Sequence, residues 1–222
     1  MFAPTVERWR SSARTWAAWA AARYGVALDE SDLLALVSRE SGGNPTAVSS
    51  TGYRGLGQVG TAALTDYNAS SAGVERPASW ADMKDADKGD LQLRVVAWLV
   101  ANGRKAVSSW SPPDAKSNAH LWADARYAWG GGNLKSAIAD YKVTHGRAPT
   151  FDELAAALPD AGKPNVRPWV HARAVATAAR TDREVSAPGS FPDAGVGLAA
   201  DCDPDCCAAR ARGGRCPRPG GE

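Results

Sequence analysis

Leu33–Gln58 reads LLALVSRESGGNPTAVSSTGYRGLGQ. It opens as an apolar helical run, Leu33, Leu34, Leu36 and Val37, and ends that run on Glu40. Gly42, Gly43 and Pro45 cannot continue a helix comfortably, so the chain must turn immediately after the carboxylate. Gly52 and the run Gly55-Leu56-Gly57-Gln58 then close a turn-rich segment. A carboxyl group that follows a buried apolar run comes out at the edge of a core. Partial loss of water there favours its protonated form, as a general acid requires. Glu-Ser-Gly by itself is also an ordinary helix end in solvent, so the rest of the chain has to supply the site.

Outward from this stretch, the pattern is helical throughout. Val6, Trp9, Ala13, Trp16, Ala20 and Tyr24 recur at spacings of three and four and predict a first helix, stopped by Gly25. Asp29 or Ser31 caps the second, with Asp29, Glu30 and Asp32 at its positive end. Thr61 to Tyr67 predicts a short helix and Asn68 to Lys84 a loop. Asp87 to Asn102 predicts a helix capped by Gly103. Further helices are expected from Asp114 or Ser117 to Tyr127, from Asn133 to His145, from the Thr150/Glu153 capping box to Leu158, and from Arg167 to Arg180. In the last one Val170, Ala174, Val175 and Ala178 form the expected apolar side. No stretch alternates with period two, so the fold class is all-α, one helical domain over 1–180 with a tail over 181–222.

Composition narrows the function classes. The chain has 222 residues, 44% of them apolar, and a net charge of +2. That suits one domain with a full core and gives no basis for nucleic-acid binding. Nine tryptophans mostly serve packing, and one or two could line a sugar groove, where flat aromatic faces suit the ligand. The longest strongly apolar run, Val95 to Ala101, is far too short to cross a bilayer, so no membrane insertion is expected. Arg8, Arg10 and Arg14 ahead of an alanine-rich run imitate a leader, but Glu7 lies among them and the run is short. A packed amphipathic helix is the expectation, with delivery by host lysis or on a phage particle.

Pro and Gly are frequent from Asp182 to Glu222, which predicts a flexible or locally stapled tail. It holds all four cysteines, Cys202, Cys206, Cys207 and Cys216. Their spacing is not a usual zinc pattern; two disulfides, a thiolate metal site and free thiols all stay open, with an unstructured or disulfide-stapled tail favoured over a metal. Asp201, Asp203 and Asp205 imitate the start of a calcium loop, but Cys206 replaces its glycine and Arg212 its closing glutamate. No metal or cofactor is expected.

From Gly25 to Ala63 the sequence resembles the catalytic core of the soluble lytic transglycosylase (SLT) family, which shares a lysozyme-like fold with goose-type lysozymes. The pieces are the Leu33–Val37 run, Glu40-Ser41-Gly42, Pro45-x-Ala47-x-Ser49, Gly52 and Gly55-Leu56-Gly57-Gln58, in register without a gap. Gly57 stands where the family usually has methionine, and Thr61 near its usual proline. More weakly, Tyr127-Ala128-Trp129-Gly130 is similar to the family's Tyr-Asn-Ala-Gly segment, and Pro168-Trp169-Val170 to its late Tyr-Val element.

The resemblance implies a lytic transglycosylase acting on bacterial peptidoglycan glycan strands. Glu40 would protonate the leaving oxygen and then serve as base. Ser49 and Gln58 would bond sugar groups, Gly55 would let backbone approach the glycan, Tyr127 would orient Glu40, and Trp169, at the family's aromatic position, would bind substrate, with a core role as the other reading. Asp66, Glu75 and Asp124 are the candidates for a second carboxylate, should folding bring one near. A hydrolytic muramidase of the same fold is the alternative, or a non-catalytic glycan-binding component of a phage tail or secretion apparatus.

Overall fold

The computed structural model describes residues 1–110, 112–161 and 167–187. The four cysteines and the proposed tail beyond 187 lie outside the described residues. The architecture is all-α: no strand forms among the described residues, and the only ladder-like contacts are isolated bridges of Arg54 with Val48 and Val59.

Helix α1 (Pro4–Glu7) leads into α2 (Arg10–Tyr24), which ends on Gly25 at φ 65°. The expected single first helix is therefore broken at Arg8–Trp9, and Trp9 Nε1 donates to the Gly43 carbonyl at 3.0 Å. Ala13, Ala17 and Ala20 are buried, so this alanine-rich segment packs as part of the domain. Helix α3 (Glu30–Ser41) starts on an Asp29–Asp32 capping box, as the acidic cluster predicted, and ends on Gly42 in the left-handed region at φ 61°.

Helix α4 (Thr61–Ala69) follows the glycine loop. The loop expected from Asn68 to Lys84 contains structure of its own: α5 (Ser71–Glu75), capped by Ser70, and a 3-10 turn at Asp82–Lys84. Tyr67 anchors this segment from the core, its hydroxyl donating to the Arg76 carbonyl at 2.8 Å. Helix α6 (Gly89–Ser108) does not stop at Gly103. That glycine is interior, facing α7, where a Cβ would rest in ordinary contact 3.5 Å from Ala123 Cβ.

Helix α7 (Ala119–Trp129) begins later than Asp114 or Ser117, because Asp114 is used as a tie. Its carboxylate accepts from Trp122 Nε1 at 3.0 Å and from the Phe151 backbone N–H at 3.0 Å. Helices α8 (Gly131–His145) and α9 (Phe151–Ala157) follow, the second with the predicted Thr150/Glu153 capping box. Helix α10 (Pro168–Ser186) runs past the expected end at Arg180. The reason is polar. Asp182 is 1% exposed and accepts from Arg10 at 2.9 Å and from the Ser31 hydroxyl at 2.9 Å.

The face of α10 also differs from expectation. Val170 is 55% exposed, while Trp169, His171, Ala172, Val175 and Ala179 are buried. Helix α10 packs on α7 and α3, and α6 packs on α7 and α2. The main core takes Leu33, Leu34 and Leu36 of α3 together with Val95, Val96, Trp98 and Val100 of α6. A second apolar cluster holds Trp122, Leu134, Ile138, Phe151, Leu154 and Trp169. The long apolar side of α3 is thereby enclosed, and its last turn emerges beside the loop that follows.

Candidate active site

Glu40 continues the buried stripe of α3, three residues beyond Val37 and four beyond Leu36, so it lies on the same side of the helix. Its side chain keeps 19% of its exposure. Oε1 is 2.8 Å from Nε2 of His171 on α10. Oε2 has no hydrogen-bond partner among the described residues and is not sealed from solvent. The carboxyl is thus held by one oxygen and open at the other.

The turn beyond Glu40 is tied down on both sides. The Ser41 hydroxyl donates to the Leu56 carbonyl at 2.8 Å, joining the end of α3 to the glycine loop. Gly43, at φ 83°, has no room for a side chain: a Cβ would sit 2.3 Å from the Thr5 carbonyl oxygen. Arg8 and Trp9 both donate to its carbonyl, at 3.1 and 3.0 Å.

Gln92 of α6 organises the loop from beneath. It is 1% exposed, accepts from the Leu56 N–H at 2.9 Å and places its amide nitrogen 3.1 Å from the Pro45 carbonyl and 2.9 Å from that of Asp82. Nothing in the hydrophobic pattern singles out Gln92. An amide between two leucines, Leu91 and Leu93, was the available signal, since a buried amide must find partners.

The residues expected at the site divide into groups. Tyr127 of α7 comes close: its hydroxyl donates to the Gly57 carbonyl at 2.5 Å. Tyr127 is half-buried as a residue, yet its phenol is closed in. That desolvation pushes its pKa well above the ordinary value, with added repulsion from Glu40 and Asp124. The absence of a side chain at position 57 has a local cause. A Cβ there would lie 2.4 Å from Val96 Cγ2 and 2.7 Å from the Tyr127 hydroxyl.

Gln58 is in the left-handed region at φ 48°, a conformation uncommon outside glycine. Its amide donates to the Gly55 carbonyl at 3.1 Å and the Ala47 carbonyl at 3.3 Å. Ser49 accepts from the Tyr53 N–H at 3.0 Å, so its hydroxyl shapes its own turn. Gly55 is a packing requirement of the loop, because a Cβ would meet the Met83 carbonyl at 2.3 Å and Gln92 Oε1 at 2.5 Å.

Trp169 is a correction to the expectation of substrate binding. It is 3% exposed, donates to the Leu158 carbonyl at 2.7 Å and packs edge-on against Trp129 and Phe151 in the second core cluster. His171, two residues on, is the residue the sequence reading missed. It lies on the buried side of α10, where the apolar pattern was misassigned.

Of the three further carboxylates, Glu75 is bound by Arg23 at 2.7 Å and by Arg94 at 3.2 Å. No contact of Asp66 with Glu40 is seen, and its electrostatic partner is Arg126. Asp124 of α7 is 4% exposed and within electrostatic reach of Glu40. Burial pushes its carboxyl up to about 8; Arg104 opposes the shift, and Asp32 and Glu40 reinforce it. A cavity of about 750 Å³ lies elsewhere, at the start of α3, lined by residues that include Asp32, Arg104, His120 and Arg183. Asp32 and Glu40 are about 12 Å apart along the helix, so this space is not the setting of the Glu40 carboxyl.

Residues 17–85 match the family model of the transglycosylase SLT domain. No curated protein and no solved structure matches the chain. The match covers α3, Glu40 and the whole glycine loop; Asp124, Tyr127 and His171 lie beyond it. That segment, under half of the chain, is similar to the transglycosylase SLT domain, and the architecture in which it sits is all-α.

Proposed function

We propose that this chain is a peptidoglycan lytic transglycosylase that cleaves the MurNAc–GlcNAc β-1,4 bond with Glu40 as its one catalytic carboxylate. The observation that carries the reading is the seat of Glu40. It stands at the rim of the core, with one oxygen bonded to the protein and the other unbonded and within reach of solvent beside the glycine loop.

Glu40 gives its proton to the bridging oxygen as the bond from that oxygen to the muramic anomeric carbon breaks. The substrate's own N-acetyl group stabilises the positive carbon. The muramic 6-hydroxyl then attacks that carbon and returns its proton to Glu40, leaving a 1,6-anhydro end. No water is consumed and no base on the opposite sugar face is needed, unlike the two-carboxylate hydrolases. Asp124 supports this choice. A carboxyl that holds its proton up to about pH 8 carries no charge at neutral pH with which to activate water. Ser49, Gln58 and Gly55 act in this reading through the loop they build, and Tyr127 through the Gly57 carbonyl that it holds in that loop.

Digestion of purified sacculi tests the proposal. Mass spectrometry should find anhydro-muramyl ends in wild-type digests and none with Glu40→Gln, whose melting temperature should stay within about 2 °C of wild type. Reducing ends would mark a muramidase instead. Equal clearing by wild type and Glu40→Gln would mark a glycan-binding component, for instance of a phage tail or secretion apparatus.

A further inference from the structure

The contact between Glu40 Oε1 and His171 Nε2 brings together residues from α3 and α10 that the family match does not join. His171 is 6% exposed, and its second nitrogen, Nδ1, is sealed from solvent with no partner. These facts decide where the ring proton sits. A proton on Nδ1 would be a buried N–H with nothing to receive it, the rarest kind of unsatisfied backbone or side-chain group. An imidazolium would add a charge to the same orphan. A neutral ring protonated on Nε2 leaves only a bare lone pair at Nδ1, and it donates to Oε1.

We propose that His171 is a positioning residue for Glu40: as a neutral Nε2–H donor it occupies Oε1 and leaves the acidic proton to Oε2, the oxygen that is open to the glycan. This rests on Glu40 being the acid. The proton to be transferred is then always on the outward atom, and the carboxyl cannot swing away when the glycan binds. Two titratable groups in electrostatic reach of Glu40 come from α7: Asp124, which holds its proton at neutral pH, and Tyr127, whose hydroxyl is committed to Gly57. Neither offers a replacement donor to Oε1 among the described contacts.

The test uses the full chain and sacculi turnover. His171→Gln places an amide N–H at the same bond distance from Cβ as imidazole Nε2. It should keep kcat within about 3-fold of wild type, with an unchanged pH profile between pH 5 and 8, because the amide supplies the same donor to Oε1. His171→Met fills the space without a donor. It should lower kcat on the order of 10–100-fold while KM stays near wild type, the cost of a misaligned reacting group. Wild-type turnover by His171→Met would overturn the proposal, as would a His171→Gln chain as slow as His171→Met or one with a displaced pH profile.

Nitrogen-15 NMR of the histidine ring in the wild-type chain provides a reading that no variant's folding can disturb. It should show a protonated Nε2 and a bare Nδ1, and the reverse tautomer sinks the assignment. A Glu40→Gln chain that remains active would refute the catalytic reading itself, whereas an inactive Glu40→Gln beside a fully active His171→Met refutes only the role of His171.

Discussion

Helices α3 and α10 are joined by the Glu40–His171 and Ser31–Asp182 hydrogen bonds and by the Asp32–Arg183 ion pair, but they are held in place by different forces. The buried side of α3 is Leu33, Leu34, Leu36 and Val37, an apolar stripe closed by a glycine turn. The buried side of α10 is Trp169, His171, Ala172, Val175, Ala179 and Asp182, small and polar for most of its length. One helix is seated by water exclusion, which tolerates small adjustments. The other combines small apolar contacts with a buried carboxylate, Asp182, that Arg10 and Ser31 satisfy. The acid therefore stands on a robust element, and its histidine partner on one that depends on a few polar ties.

The sharpest way to break this contrast is Asp182→Ala. It would strip Arg10 and Ser31 of a partner that is 1% exposed. Removing one member of a buried pair costs about 3–5 kcal/mol, so thermal unfolding should shift down by roughly 10 °C. An unchanged transition would mean that α10 is not anchored by this carboxylate.

Asp124 on α7 probes the same polar dependence through pH. Its folded pKa of about 8 lies above the value of about 3.9 for an unfolded aspartate. Between these values the folded chain keeps a proton that the unfolded chain has released. The stability from this group is complete below about pH 4 and is lost as pH rises through 8. Relative to Asp124→Asn, wild type should lose about 3 kcal/mol between pH 5 and pH 8.5 in urea titrations, after relaxation around the buried charge. Parallel pH dependences in the two chains would show that Asp124 ionises freely.

On the α3 side, Gly57→Met restores the residue usual at this position in the resembling family. It should destabilise by about 1–3 kcal/mol, because the new Cβ collides with Val96 and the Tyr127 hydroxyl. A neutral denaturant midpoint would show that the loop shifts to admit a side chain.

The same contrast explains what could be read from the chain. The α3 segment was legible because its signals are local: an apolar run, an acidic cluster with a cap at Asp29 or Ser31, and glycines where the backbone turns left-handed at Gly42 and Gly43. Helix α10 was legible as a helix, but its orientation was not. Alanines at 172, 174, 176, 178 and 179 spread weak apolar character around it, and Val170 drew the expected face toward solvent. The residues that decide its seat, His171 and Asp182, are polar and declare themselves only through partners far away in sequence. Gln92 and Asp124 were obscure for the same reason. Tyr127 could be placed near Glu40 through the family resemblance, yet its bond to a backbone carbonyl belongs to the three-dimensional arrangement. Trp169 looked like a groove residue because aromatic rings serve cores and sugars equally well.

The grip of Arg8, Trp9 and Thr5 on Gly43 has a practical bearing. The first few residues act as a brace for backbone that lies three positions beyond the acid. Shortening the chain at that end for expression, or burying it under a bulky fusion partner, would slacken the hinge between Glu40 and its loop while leaving most of the helices intact. Such a preparation would look well folded by circular dichroism and still report poor turnover, for a mechanical reason and not a chemical one.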